Sequence, residues 1–134
     1  MHALFINKTI LRNKMKPENK ADFQRVIRAA GYSMKGLKAA YINEPAFRQE
    51  IWCATILIPL ALLLGNDIIE KLLLLSTVFL VLITELLNSA IEAVVDRIGS
   101  DFHELSGRAK DIGSAAVFMA MVLFAITWLL ILIF

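Results

Sequence analysis

The stretch Leu72–Ser100, "LLLLSTVFLVLITELLNSAIEAVVDRIGS", begins as membrane-span sequence and then admits carboxylates. Leu72 to Thr84 carry no charge. Glu85, Asn88, Ser89, Glu92 and Asp96 follow while the apolar residues between them continue. At about 100° per residue, these five side chains share one helical stripe roughly 100° wide. Leu86, Leu87, Ile91, Val94 and Val95 fall outside it. A carboxylate in a bilayer costs at least a few kcal/mol, so this stripe is expected to face a protein interior or a wet cavity. Hydrogen-bonding glue between helices is the plainer explanation, but Asn and Ser serve that purpose without two Glu. Glu85 lies about two turns, roughly 10 Å, from Glu92 and is the deeper of the two.

The rest of the chain fits a membrane setting. Its 134 residues suit one domain. A hydrophobic content of 58% and a mean hydropathy of +0.67 are too apolar for an ordinary soluble domain of this size. Three apolar blocks, 51–64, 72–95 and 112–134, predict three transmembrane helices. The second and third reach roughly 35 Å, enough for a hydrocarbon core of about 30 Å. The first, about 21 Å long, must recruit Phe47–Glu50 at its start or sit in a thinned bilayer; with those residues the spans fall at 47–64, 72–95 and 112–134.

Ten of the fourteen Lys and Arg precede the first apolar block, 51–64: Lys8, Arg12, Lys14, Lys16, Lys20, Arg25, Arg28, Lys35, Lys38 and Arg48. Lys71 is the sole cation between spans one and two, while Arg97, Arg108 and Lys110 follow span two. The positive-inside rule therefore predicts a cytoplasmic N-terminus and a cytoplasmic 96–111 loop, with the C-terminus outside. Residues 1–20 read as a basic, poorly ordered extension without a cleavable signal. The lone Cys53 has no partner for an intramolecular disulfide, and the Asn7-Lys8-Thr9 triplet is too common to carry weight.

Before the first span, Phe23, Val26, Ile27, Ala30, Met34 and Leu37 recur at three- and four-residue spacing among Arg25, Arg28, Lys35 and Lys38. This predicts an amphipathic surface helix over 21–41. Pro17, Glu18 and Asp22 supply its start signal. Gly31 and Gly36 loosen it and are positions at which it can divide in two.

Further ionisable residues converge at one membrane face. Glu44, Arg48 and Glu50 stand at the cytoplasmic entry to span one; Asp101, His103, Glu104, Arg108, Lys110 and Asp111 follow span two. Clustered carboxylates suit Mg²⁺, which takes a few of them together with phosphate oxygens. "HELSG" lacks the second His of a zinc motif, and Gly31–Gly36 is followed by Leu37 where a phosphate loop needs Lys. Basic and aromatic residues are not interleaved as nucleic-acid binding would require. Two classes survive from the residues alone: an enzyme acting on a membrane-embedded substrate with a soluble anionic co-substrate, or a small proton or ion conductor.

The runs "AAGYSMKGLKAAYINEPAFRQE" and "ELLNSAIEAVVDRIGSDFHELSGRAKDIGSAAV" closely resemble the prokaryotic integral-membrane diacylglycerol kinase family. The resemblance covers roughly residues 21–134, and its E-x-x-N-S-x-x-E-x-x-x-D pattern from Glu85 to Asp96 is long and specific. It implies an all-α membrane protein, with a surface helix and three transmembrane helices per subunit, assembled as a homotrimeric bundle in the bacterial inner membrane. It implies transfer of the ATP γ-phosphate to diacylglycerol with Mg²⁺ as cofactor. By the same resemblance Glu85 is the general base with Asn88 in support, and Glu44 and Glu92 are metal ligands. Arg25, Tyr32, Ser33, Asp96, His103, Lys110 and Asp111 contact the nucleotide, while Glu50 and Ser114 serve the lipid substrate. Undecaprenol kinases share this architecture and much of the core motif. A single three-span chain is expected to leave part of the stripe, Asn88, Glu92 or Asp96, exposed unless other subunits cover it.

Overall fold

The computed structural model describes residues 23–99, 101 and 103–134. The expectations for residues 1–20 and for the Pro17–Asp22 start signal lie outside these residues. Among these described residues four helices follow one another: α1 (Phe23–Asn43), α2 (Pro45–Leu64), α3 (Ile68–Ile98) and α4 (Glu104–Ile133). The turns of α1 up to Lys35 belong to a separate unit from Gly36–Phe134. Gly31 and Gly36 do not divide α1, which runs unbroken through both. Phe23, Val26, Ile27, Met34 and Leu37 on α1 are all exposed, and Ala40 alone is buried.

The break between α1 and α2 follows from Pro45. A residue before proline is steered away from helical backbone, and Glu44 is extended there (φ −106°, ψ 106°). Pro45 then takes the first helical position, where its missing N–H costs nothing. Arg48 secures the corner: its Nη1 donates to the Tyr41 carbonyl at 3.1 Å and the Ile42 carbonyl at 2.7 Å, both in the last turn of α1. With 20 residues, α2 reaches roughly 30 Å because it takes in Phe47–Glu50 as anticipated.

Asp67 starts α3. Its Oδ1 accepts from the Ile69 and Glu70 backbone N–H groups at 2.8 and 2.9 Å, and Glu70 Oε2 accepts from Asn66 N at 2.7 Å. Connections this short make neighbouring helices antiparallel. Helix α3 is central and packs on both α2 and α4. Near the α2–α3 connection, Ala54 and Ala61 admit Leu74 and Val78 closely, and Trp128 of α4 closes the cluster.

At the opposite end, α3 and α4 run well past the apolar blocks. The expected 96–111 loop contracts to the short Gly99–His103 connection; Asp96 and Arg97 end α3, and Lys110 and Asp111 lie on α4. Hydropathy marks where lipid stops, whereas a helix continues wherever its backbone bonds are met, in water as in lipid. The polar stripe faces inward: Glu85, Asn88 and Ser89 are buried, Glu92 is half-buried and Asp96 exposed. Of the three residues that one chain is expected to leave partly uncovered, Asp96 is exposed and Glu92 half-buried, while Asn88 is covered because Gly113 of α4 lets the two helices close over it.

Candidate active site

A cleft of about 380 Å³ opens where the start of α2 meets the polar half of α3 and the facing turns of α4. Glu44 and Ala46 line it from α2's first turn, Glu85, Asn88 and Glu92 from α3, and Ser114 from α4. Each carboxylate arrives by a different local cause. Glu44 is the extended residue forced by Pro45, and its side chain makes no capping bond to α2, so both carboxylate oxygens remain available. Glu85 is 6% exposed, carried inward by the stripe that begins with it. Glu92 is one turn beyond Asn88, whose Nδ2 donates to Glu92 Oε1 at 3.1 Å.

Glu44, Glu85 and Glu92 all line this one cleft. Three carboxylates in so small a space repel one another unless a proton or cation intervenes. Among the described residues no group of three or more His, Cys, Asp or Glu is placed to hold a metal ion; Mg²⁺ commonly takes only one or two carboxylates, with water and phosphate oxygens in the rest of its shell.

A second cleft of about 440 Å³ adjoins the first through shared Ala46 and Met121. Its walls are apolar: Leu57 from α2, Val78, Val81 and Leu82 from α3, Phe124 from α4. Glu50 belongs to this cleft and not to the cleft of Glu85, and its Oε2 is buried without a hydrogen-bond partner.

The remaining candidates divide between two places. Asp96 and Lys110 pair at 2.5 Å and tie the end of α3 to the start of α4. His103 caps α4, its Nδ1 accepting from Leu105 N at 3.2 Å, which leaves Nε2 as the nitrogen that can donate outward. His103 also lines a cleft of about 500 Å³ with Asp101 and Ser106, and Asp111 is exposed on α4. Arg25, Tyr32 and Ser33 are on the turns of α1 in the other unit and are not among the residues gathered in the acidic cleft. Ser33 Oγ donates to the Ala29 carbonyl at 3.1 Å, and Tyr32 carries Lys35 Nζ 5.8 Å from its ring centre. The residue that sequence reasoning missed is Gly113; its only signal was a small residue inside an apolar helix.

The family model for prokaryotic diacylglycerol kinase matches residues 31–132. The chain is 59% identical over 114 residues to a diacylglycerol kinase of Escherichia coli (strain K12), covering 85% of this chain and 93% of that protein. It is 56% identical over 103 residues to one of Haemophilus influenzae, covering 77% and 87%. A diacylglycerol kinase of Pseudomonas aeruginosa is 47% identical over 110 residues, covering 82% and 89%.

Proposed function

The chain belongs to the prokaryotic diacylglycerol kinase family, and we infer from that membership that it is an ATP-dependent lipid kinase whose acidic cleft carries the transfer. The observation that supports this assignment is the convergence of Glu44, Glu85, Asn88 and Glu92 in one cleft that opens into an apolar one. The three spanning-length helices make it a multi-pass membrane protein. The asymmetry of Lys and Arg favours an orientation with the α3–α4 connection in the cytoplasm, where ATP is available.

The acceptor hydroxyl of a diacylglycerol stays near the headgroup boundary while its acyl chains remain in hydrocarbon. The apolar cleft is suited to such chains, and Glu50 at its edge to a glycerol hydroxyl. Glu85 takes the hydroxyl proton as the acceptor oxygen bonds to the γ-phosphorus and the bond to the β-phosphate oxygen breaks, giving phosphatidic acid and ADP. Asn88 holds Glu92 in place and Ser114 offers a hydroxyl across the cleft. Glu44 and Glu92 would hold Mg²⁺, which neutralises phosphate charge when bound. Lys110, fixed by Asp96, brings a cation towards the phosphates, and His103 Nε2 a donor; Asp111 completes the proposed nucleotide contacts within Gly36–Phe134, while a nucleotide role for Arg25, Tyr32 and Ser33 rests on the family resemblance alone. A homotrimer would let neighbouring chains cover the exposed apolar faces.

The test is an assay of purified protein in lipid with Mg-ATP, comparing diacylglycerol with undecaprenol and recording proton flux in the same liposomes. Phosphatidic acid formation without flux is expected. A preference for undecaprenol would move the acceptor within the family, and flux without phosphorylated lipid would overturn the enzyme reading.

A further inference from the structure

Gly113 has no functional group, yet the acidic cleft depends on its bareness. It is buried on α4 against Asn88. A Cβ at this position would overlap Asn88 Oδ1 and lie 3.4 Å from Asn88 Cγ, while the next atom, Ile91 Cδ1, is 3.7 Å away. The overlap is therefore with the carboxamide alone, since 3.7 Å is ordinary contact. Gly107, two turns earlier on the same helix, has no atom within 4 Å of such a Cβ. In glycine the direction of the missing Cβ is occupied by a Cα–H, so Oδ1 rests against that hydrogen, the arrangement of a weak C–H···O contact. Asn88 is 8% exposed, and its Oδ1 has no conventional hydrogen-bond donor.

The other end of the carboxamide is fixed too. Asn88 Nδ2 donates to Glu92 Oε1 at 3.1 Å. The NH₂ end of the carboxamide therefore faces Glu92 and its oxygen faces Gly113 on α4. We propose that Gly113 is a positioning residue: its bare Cα seats the Asn88 carboxamide, which in turn aims Glu92 into the acidic cleft. This rests on the reading of that cleft as the transfer site. A methyl group at 113 pushes the carboxamide off α4, and Glu92 loses its donor.

The experiment compares Gly113→Ala, Asn88→Ala, the double variant and Gly107→Ala in lipid. It reads the Mg²⁺ concentration for half-maximal rate together with the Asn88 side-chain NH₂ resonances in ¹⁵N-labelled protein. In Gly113→Ala the resonances are expected to move and the Mg²⁺ requirement to rise roughly tenfold or more, the size typical when a group supporting a metal ligand is lost. Gly107→Ala should match the parent. In the Asn88→Ala background, adding Gly113→Ala should change nothing, because the overlapping atoms are gone. Unmoved resonances, an unchanged Mg²⁺ requirement, or an equal loss in both backgrounds would overturn the proposal on its packing. Asn88→Ala with parental kinetics would overturn it through the site reading instead, and moved resonances in Gly113→Ala tell that failure from the first. If Gly113→Ala does not accumulate in the membrane, the double variant decides: it should accumulate, and failure to do so overturns the proposal.

Discussion

The halves of α3 from Leu72 to Thr84 and from Glu85 to Asp96 pack against the same two helices but treat their polar groups differently. In the first half each hydroxyl is satisfied by its own helix. Ser76 Oγ donates to the Leu72 carbonyl at 2.5 Å, Thr77 Oγ1 to Leu74 at 2.9 Å, and Thr84 Oγ1 to Leu80 and Val81 at 2.9 Å. What remains is apolar packing, with Leu74 fully buried against Ala54, Ala61 and Trp128; the indole Nε1 of Trp128 is the exception, buried without a partner. In the second half Glu85, Asn88 and Ser89 are as deeply buried, yet Asn88 Oδ1 and Ser89 Oγ have no hydrogen-bond partner. Buried polar capacity left unused is costly for stability, and it is tolerated where a ligand or a reaction makes use of it. One half of the helix holds the bundle together; the other is where we place the chemistry.

The sharpest way to break that division is Glu85→Gln. It keeps size and hydrogen bonding but cannot take a proton, so kcat should fall by about 10²–10⁴, the usual worth of a general base. Insertion and assembly should be retained, and near-parental kcat would remove Glu85 as the base. Next in size, Glu44→Gln and Glu92→Gln should each raise the Mg²⁺ needed for half-maximal rate, by roughly ten- to a hundredfold. Two variants with the parental Mg²⁺ dependence would end the metal assignment.

Leu74→Ala tests the other half. In lipid the transfer gain of burying a leucine is largely absent, which leaves the lost packing, about 2 kcal/mol. An unfolding titration in mixed micelles should show that loss while kcat per folded molecule stays parental. The smallest effect is expected from Asp96→Asn. Its pair with Lys110 is largely exposed, so the unfolding midpoint should not move measurably. The KM for ATP should rise several-fold with little change in kcat, since Lys110 loses its tether; an unchanged KM would separate that pair from nucleotide binding.

Three spans and one polar stripe could be read from the sequence because both are periodic properties of a single helix. Length alone left the first span two ways to fit, recruiting Phe47–Glu50 or a thinned bilayer, and α2 includes those residues. The ends of the helices were not legible, since charge after Val95 marks the end of lipid and says nothing of backbone bonding. Lys110 therefore looked like a loop residue and Asp96 like the boundary between stripe and loop, when the two pair across two helices. Gly113 was hidden for a different reason: spacing along α3 shows which residues share a face, but not which residue of α4 meets them. Nor could the sequence separate Glu50 from Glu44, Glu85 and Glu92, because that depends on the crossing of α2 and α3.

The most direct test of the division is the double variant Leu74→Ala/Glu85→Gln, measured for kcat and unfolding midpoint beside the two single variants in one lipid preparation. The two positions are eleven residues apart, about 16 Å along the helix, far enough for independent sites to add. The double variant is predicted to show the residual turnover of Glu85→Gln alone. Its stability change should equal the sum of the single changes within about 0.5 kcal/mol. A larger departure, or turnover that depends on the residue at 74, would contradict the separation of packing from chemistry along α3.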